Sequence, residues 1–224
     1  MKTGSRTKLL VIALAVVVVA IIAYWGAYQK RELDTTIIAA LQDSSQRLRS
    51  ALTLIAGPPE AITMQAAERI STDADDVDRG LQALKRADVA SDMALVDAAD
   101  SYLLTTREVL KRIAGSHKHR LMLAESTQAL RDHMRVDTRT GAWVSEAVRG
   151  KTRMDRDFRD FRIDTVMVDK LLESFHEAEN KIVPYAGAGV LIDEKLVADA
   201  RMRASAELKR ATAENESFRR RLTP

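Results

Sequence analysis

The hydrophobic pattern changes character within the first 60 residues. From Leu9 to Tyr28 no charged residue occurs, and at about 1.5 Å per residue that run matches the roughly 30 Å hydrocarbon core of a bilayer. Beyond it, apolar residues recur three and four apart. Leu33, Ile37, Leu41, Leu48, Leu52 and Ile55 share one face, so the span is expected to continue outward as one helix that stops at the "GPP" of 57–59. Ile62, Ala66, Ile70, Val77, Leu81 and Leu84 predict a second helix from near Pro59. Val96, Leu103, Leu110, Ile113, Leu121 and Leu130 predict a third, starting at Asp88 or Ser91 and running to about Val136, with an irregularity at "AGSHKH", 114–119. The fourth carries the clearest pattern. Met154, Phe158, Phe161, Thr165, Val168, Leu172, Phe175 and Ile182 alternate four and three apart, with Ala178 and Glu179 filling the gap, which is a heptad seam ending at Pro184. "PYAGAG" reads as a loop, and a fifth helix is predicted from about Ile192 to Leu222.

Short connections make consecutive helices antiparallel neighbours. Helices 3 and 4, at roughly 65 Å, outrun helices 1 and 2, at about 40 Å, so the 3–4 hairpin is expected to overshoot them by about 25 Å. The tip of that hairpin is the turn at 136–141. The predicted fold class is all-α: a single N-terminal transmembrane helix continuous with an elongated antiparallel helical bundle, with helices 3 and 4 forming a protruding hairpin. In domain terms, residues 1–8 form a basic cytoplasmic tail, 9–28 a transmembrane signal-anchor helix and 29–224 an extracytoplasmic helical bundle.

Charge sets the orientation. Lys2, Arg6 and Lys8 precede the span without an acid, whereas Lys30 and Arg31 are followed at once by Glu32 and Asp34, which favours a cytoplasmic N-terminus. Tyr24, Trp25 and Tyr28 cluster at the far end of the span, where amphipathic rings favour the membrane interface. A removable signal would have a shorter apolar core, about 7 to 15 residues, and small residues at the cleavage site. A cut after Ala27 puts Trp25 at the −3 position, one after Ala23 puts Ile21 there, and one after Ala20 leaves "IIAYWGAY" as a new terminus. The span is therefore read as retained.

The chain has 35 Lys and Arg against 32 Asp and Glu, and the excess of basic residues lies within residues 1–8. The pI near 9.2 thus reflects the tail, and the formally neutral body argues against a nucleic-acid partner. The absence of cysteine excludes disulfides and thiolate chemistry. Asparagine occurs only at positions 180 and 215 and arginine far outnumbers lysine, a bias of GC-rich bacterial genomes. The expected location is the bacterial inner membrane, with the body in the periplasm.

Two clusters are candidates for function. At the hairpin tip, Met134, Val136, Arg139, Trp143 and Val144 fall where few helices remain to cover them, and a tryptophan beside arginines resembles an interface anchor. The competing reading is a tryptophan that closes the two-helix end or packs on a second copy. On helix 4, Glu173 and His176 form an E-x-x-H, a spacing that lets both side chains reach one metal. Ferritin-like bundles use two such motifs plus two further glutamates. Only one is present here, so a histidine beside the Phe175 seam is the alternative and no cofactor is expected. "DADD", 73–76, lacks the spaced oxygens and turn glycine of a calcium loop and reads as a solvated face. The G-x-G at 187–189 follows a helix and lacks the third glycine of a dinucleotide loop. In "RMDRDFRDFRID", Asp155 with Arg159 and Arg156 with Asp160 are expected as helix-surface pairs. The "FRRRL" run suits a helix C-terminus or an acidic partner.

The plan of the span at 9–28 followed by the helices of 33–182 is similar to the extracytoplasmic bundles of bacterial chemoreceptors and sensor kinases. It departs from them in having no second apolar span and no output segment after Ile182. With no catalytic signature, the chain is expected to be a membrane-tethered scaffold or accessory subunit presenting a rigid helical hairpin to another envelope protein. Its partners would be the lipid bilayer, that protein and, through the heptad seams, a second copy. The alternatives are a small-ligand sensor and a metal-binding bundle.

Overall fold

Residues 28, 34–86, 93–136 and 140–222 are described by the computed structural model. Among them every regular element is helical: α1 at residues 34–56, α2 at Met64–Arg86, α3 at Met93–His133, α4 at Gly141–Ala186 and α5 at Glu194–Leu222, with short 3₁₀ turns at Pro59–Ala61 and Gly187–Val190. No helix among the described residues is long and apolar enough to cross a membrane. The proposed tail at 1–8 and span at 9–28 lie outside the described residues, Tyr24 and Trp25 with them. Tyr28 alone is described, and it is helical and exposed.

The apolar stripes converge as their spacing requires. Ile37, Leu41, Leu48 and Leu52 of α1, Ile70, Val77, Leu81 and Leu84 of α2, and Leu103, Leu110 and Ile113 of α3 share one core with Val168, Leu172, Phe175 and Ile182 of α4. Ring contact between Tyr102 and Phe175, with centroids 5.1 Å apart, marks the level at which α3 and α4 cross this core. A second, smaller core lies further along the hairpin, where Leu123 and Leu130 of α3 and Met154 and Phe161 of α4 are sealed by Phe218 of α5. The α1–α2 turn ends at the height of His117 and Phe161, since Ile55 and Ile62 line the same small cavity as those residues. Among the described residues, α3 and α4 continue past that neck with α5 only, so five helices surround the proximal core and three the distal one.

This arrangement changes the expected picture of a bare overshooting hairpin. The overshoot past α1 and α2 exists, but α5 turns back along it: Lys151 Nζ donates to Asn215 Oδ1 at 3.1 Å, and Arg131 pairs with Glu214. Only the last two or so turns at the tip extend beyond α5. The return of α5 is fixed by its connection to α4. Val190 O accepts from Ser45 Oγ at 3.1 Å and from the Tyr102 hydroxyl at 3.0 Å, while Glu179 Oε1 accepts the Ile192 N–H at 2.6 Å. Burial pushes the Tyr102 phenol above its ordinary range and also raises the Glu179 carboxyl.

Four local expectations are corrected. α4 passes through Pro184 and ends at Ala186, because the ring removes one rung of a last turn already near its end, and termination waits for Gly187 at φ 71°. α3 runs unbroken through 114–119. Asp73 and Asp76 are not a merely solvated face. Arg47 Nη1 of α1 donates to both, at 2.6 and 2.8 Å, tying α1 to α2, and Arg79 holds the Asp76 carboxyl below its usual range. Asp155 and Arg156 do not pair four residues on. Asp155 takes Lys151 and Arg156 reaches Asp157 at 3.4 Å.

Phe161 is 3% exposed, and its ring spans the neck between the two cores. Replacing it with alanine should lower unfolding stability by about 3–5 kcal/mol, read from urea denaturation monitored by helical circular dichroism; a change within error would show that the seam is not closed there.

Candidate functional site

The distal lobe is built outward from the neck. At the neck, Asp164 of α4 is nearly buried and held by two α3 side chains, Arg112 Nη1 at 2.8 Å and His119 Nδ1 at 2.9 Å. Beside it Ser116 Oγ and Thr165 Oγ1 share a hydrogen bond of 2.9 Å. Asp164 can come so close only because residue 115 is glycine: a Cβ there would collide with its Oδ2. Between Ser116 and His119 on α3, His117 is 3% exposed and its Nε2 has no hydrogen-bond partner among the described residues. Burial, assisted by the charge of Arg120, pushes its imidazole down to about 4. Arg120 in turn lies 2.9 Å from Glu207 of α5, an ion contact off the hydrogen-bond line. Burial lowers the arginine and raises the glutamate, so for both groups desolvation outweighs their mutual attraction.

At the tip, Trp143 and His133 lock the two helices together. Their rings stack with centroids 5.1 Å apart, Trp143 Nε1 donates to His133 O at 3.1 Å, and His133 Nε2 lies 2.9 Å from Trp143 O. Thr140 Oγ1 caps α4 by accepting the Trp143 N–H at 3.2 Å. The half-buried tryptophan thus closes the two-helix end. Met134 packs into the distal core, whereas Val136, Val144 and Val148 are 50%, 50% and 59% exposed. Arg139 lies outside the described residues.

Glu173 and His176 are not brought together. Glu173 accepts from Arg201 of α5 at 3.1 Å, and His176 Nδ1 lies 3.5 Å from Glu179 Oε2. Among the described residues no group of three or more histidines and carboxylates could hold a metal ion.

Two features of the distal lobe emerge only from the tertiary arrangement. α5 touches α4 far less than α3 does, which leaves a groove between α4 and α5. Its distal stretch, of about 1200 Å³, runs from Val148 and Arg219 to Ser205 and Leu208; its proximal stretch, of about 450 Å³, shares those two residues and continues to Leu172 and Ala200. The second feature is charge. Residues 120–162 and 205–222, which form the lobe, contain 15 Lys and Arg against 10 Asp and Glu, whereas residues 9–119 and 163–204 contain 17 against 22. The formally neutral body is therefore polarised along its length, basic at the end far from α1. No family model, curated protein or solved structure matches the chain.

Two outcomes follow from the neck. Gly115→Ala should force Asp164 away from Arg112 and His119 and cost about 1–3 kcal/mol, visible as a lower denaturation midpoint. His117 binds its proton more weakly in the folded state than in the unfolded chain, where the pKa is about 6.5. Its contribution is therefore intact above that pH and lost as pH falls toward 4. Relative to a His117→Leu variant, the wild type should lose up to roughly 3 kcal/mol between pH 7 and pH 4; parallel pH profiles for the two proteins would contradict the assignment.

Proposed function

We propose that the protein is a single-pass, membrane-tethered helical scaffold, with its N-terminus in the cytoplasm and its body in the periplasm, that presents the distal lobe to another envelope protein. The uncharged run of 9–28 with its terminal aromatic cluster supports the tether. The observation that carries the presenting role is the hairpin end: three exposed valines, Val136, Val144 and Val148, lie at or near a tip held by the Trp143–His133 lock, and exposed apolar residues on a rigid support suit an interface.

A second reading has one observation in its favour. The proximal part of the α4–α5 groove is lined mainly by apolar groups, among them Ile55, Val166, Leu172 and Met202, and its volume of about 450 Å³ suits a small apolar ligand. A ligand sensor would show a selective thermal shift with one small solute; the scaffold would show none.

The scaffold reading makes two linked expectations. The full chain should stay with the membrane pellet after an alkaline wash, and a reporter behind Pro224 should be active only outside the cytosol. Val144→Glu should leave melting temperature and helicity unchanged, since Val144 is half exposed, yet reduce crosslinking from the tip to its partner several-fold. Undiminished crosslinking would remove the tip from the interface.

A further inference from the structure

The α4–α5 groove has the dimensions of a missing helix. From Val148 to Leu172 along α4 it extends for about 36 Å, straight and open to the side. Its lining repeats every three or four residues on both walls, as Val148, Thr152, Asp155, Phe158 and Arg162 on α4 and as Ser205, Leu208, Thr212, Glu216 and Arg219 on α5. Apolar surface is distributed along the whole length: Val148 at 59%, Val166 at 39% and Met202 at 68% exposed, with Phe158 and Leu208 partly covered. Small residues between them, Thr152, Ser205 and Ala213, leave room for the 8–10 Å approach of a packed helix. Among the described residues only α3, α4 and α5 surround the distal core, so a fourth helix in this groove would complete a four-helix arrangement.

The rim says what that helix carries. Along the outer edge of α4, Arg149, Arg153, Arg156 and Arg159 line a shallow basic strip that shares Thr152 and Asp155 with the groove. Their ion contacts, to Glu146, Glu125, Asp157 and Asp160, are long, from 3.4 to 3.8 Å, and each arginine is more than half exposed. Arg162 on one wall and Lys209 on the other have no ion pair among the described residues. A second copy docked antiparallel, about a two-fold axis crossing the groove, would oppose one arginine row to another.

We propose that the groove seats one amphipathic helix of a partner protein, about 24 residues long, whose apolar stripe lies on the groove floor and whose flanking row of aspartates and glutamates faces the arginines of α4. This inference rests on the scaffold reading and specifies the partner's chemistry. Desolvated apolar contact supplies the affinity, and the charge rows set orientation and association rate, so binding weakens as salt rises.

The test uses the full chain in nanodiscs of zwitterionic lipid, with empty discs as the background. Two fluorescent 24-residue helical peptides share one apolar stripe and differ only in carrying glutamate or lysine flanks. The glutamate peptide should bind at least tenfold more tightly by anisotropy, and Arg153→Glu, Arg156→Glu and Arg159→Glu together should reverse the preference. Ala213→Trp, which fills the groove from an exposed position, should abolish binding while circular dichroism and melting stay unchanged. Equal binding of the two peptides, binding of neither, or binding indifferent to Ala213→Trp would overturn the proposal. Photoreactive residues at Thr212, in the groove, and at Val144, on the tip, separate it from the reading beneath it. Crosslinks from Thr212 into an acid-flanked helical segment of another protein support it. Crosslinks from Val144 without any from Thr212, or crosslinks from Thr212 only to a second copy, overturn it and leave the scaffold reading standing. Silence at both positions removes both.

Discussion

The long antiparallel contact between α3 and α4 is the constraint from which the rest of the molecule follows. Two helices of 41 and 46 residues packed along most of their length bury one continuous seam, and each turn added to that seam adds apolar area removed from water. Apolar packing alone tolerates sliding by a heptad. Here three polar or aromatic contacts act against it: Tyr102 on Phe175, Asp164 in the notch left by Gly115 with Arg112 and His119 on either side, and the Ser116–Thr165 bond. A shift of one turn would leave the Asp164 carboxylate unpaired in the seam, which costs more than the hydrogen bonds themselves contribute.

Everything else is arranged around that pair according to length. α1 and α2 are too short to follow it past the neck; the Arg47 contacts to Asp73 and Asp76 hold them to each other, and Arg107 of α3 pairs with Asp78 to hold α2 to the pair. α5 follows the pair outward because its start is fixed by groups from three other helices at Val190 and Ile192. Having been aimed, it is held only along a narrow line, through Phe218, Leu208 and a few ion contacts such as Arg131–Glu214. The groove is the geometric consequence: three helices around a small core cannot close every side of it, and the wider opening, between α4 and α5, lies beside the arginines of α4.

The proximal and distal halves thus differ in chemistry as well as in helix number. The proximal half holds the larger apolar core and carries the net negative charge. The distal half has the smaller core, exposes Val136, Val144 and Val148, and carries the net positive charge.

The helical faces were legible from spacing alone. Met154, Phe161, Val168, Leu172, Phe175 and Ile182 are all buried, because a 3.6-residue period projects directly onto one side of a cylinder and needs no knowledge of what covers it. The relative lengths of the hairpins, and so the overshoot, followed from the same arithmetic. What spacing could not yield was partnership between distant segments. Asp73 and Asp76 read as solvated until α1 brought Arg47 beside them, Trp143 could be an anchor or a closing residue until its ring met His133, and the Glu173–His176 spacing said nothing of Arg201 and Glu179, the partners each meets. The charge polarity stayed hidden for the same reason, since 120–162 and 205–222 are unremarkable separately and add up only when α5 folds back on α4. Local periodicity is fixed by backbone geometry, whereas ion pairs, grooves and fields depend on distances through space that the order of residues along the chain leaves free.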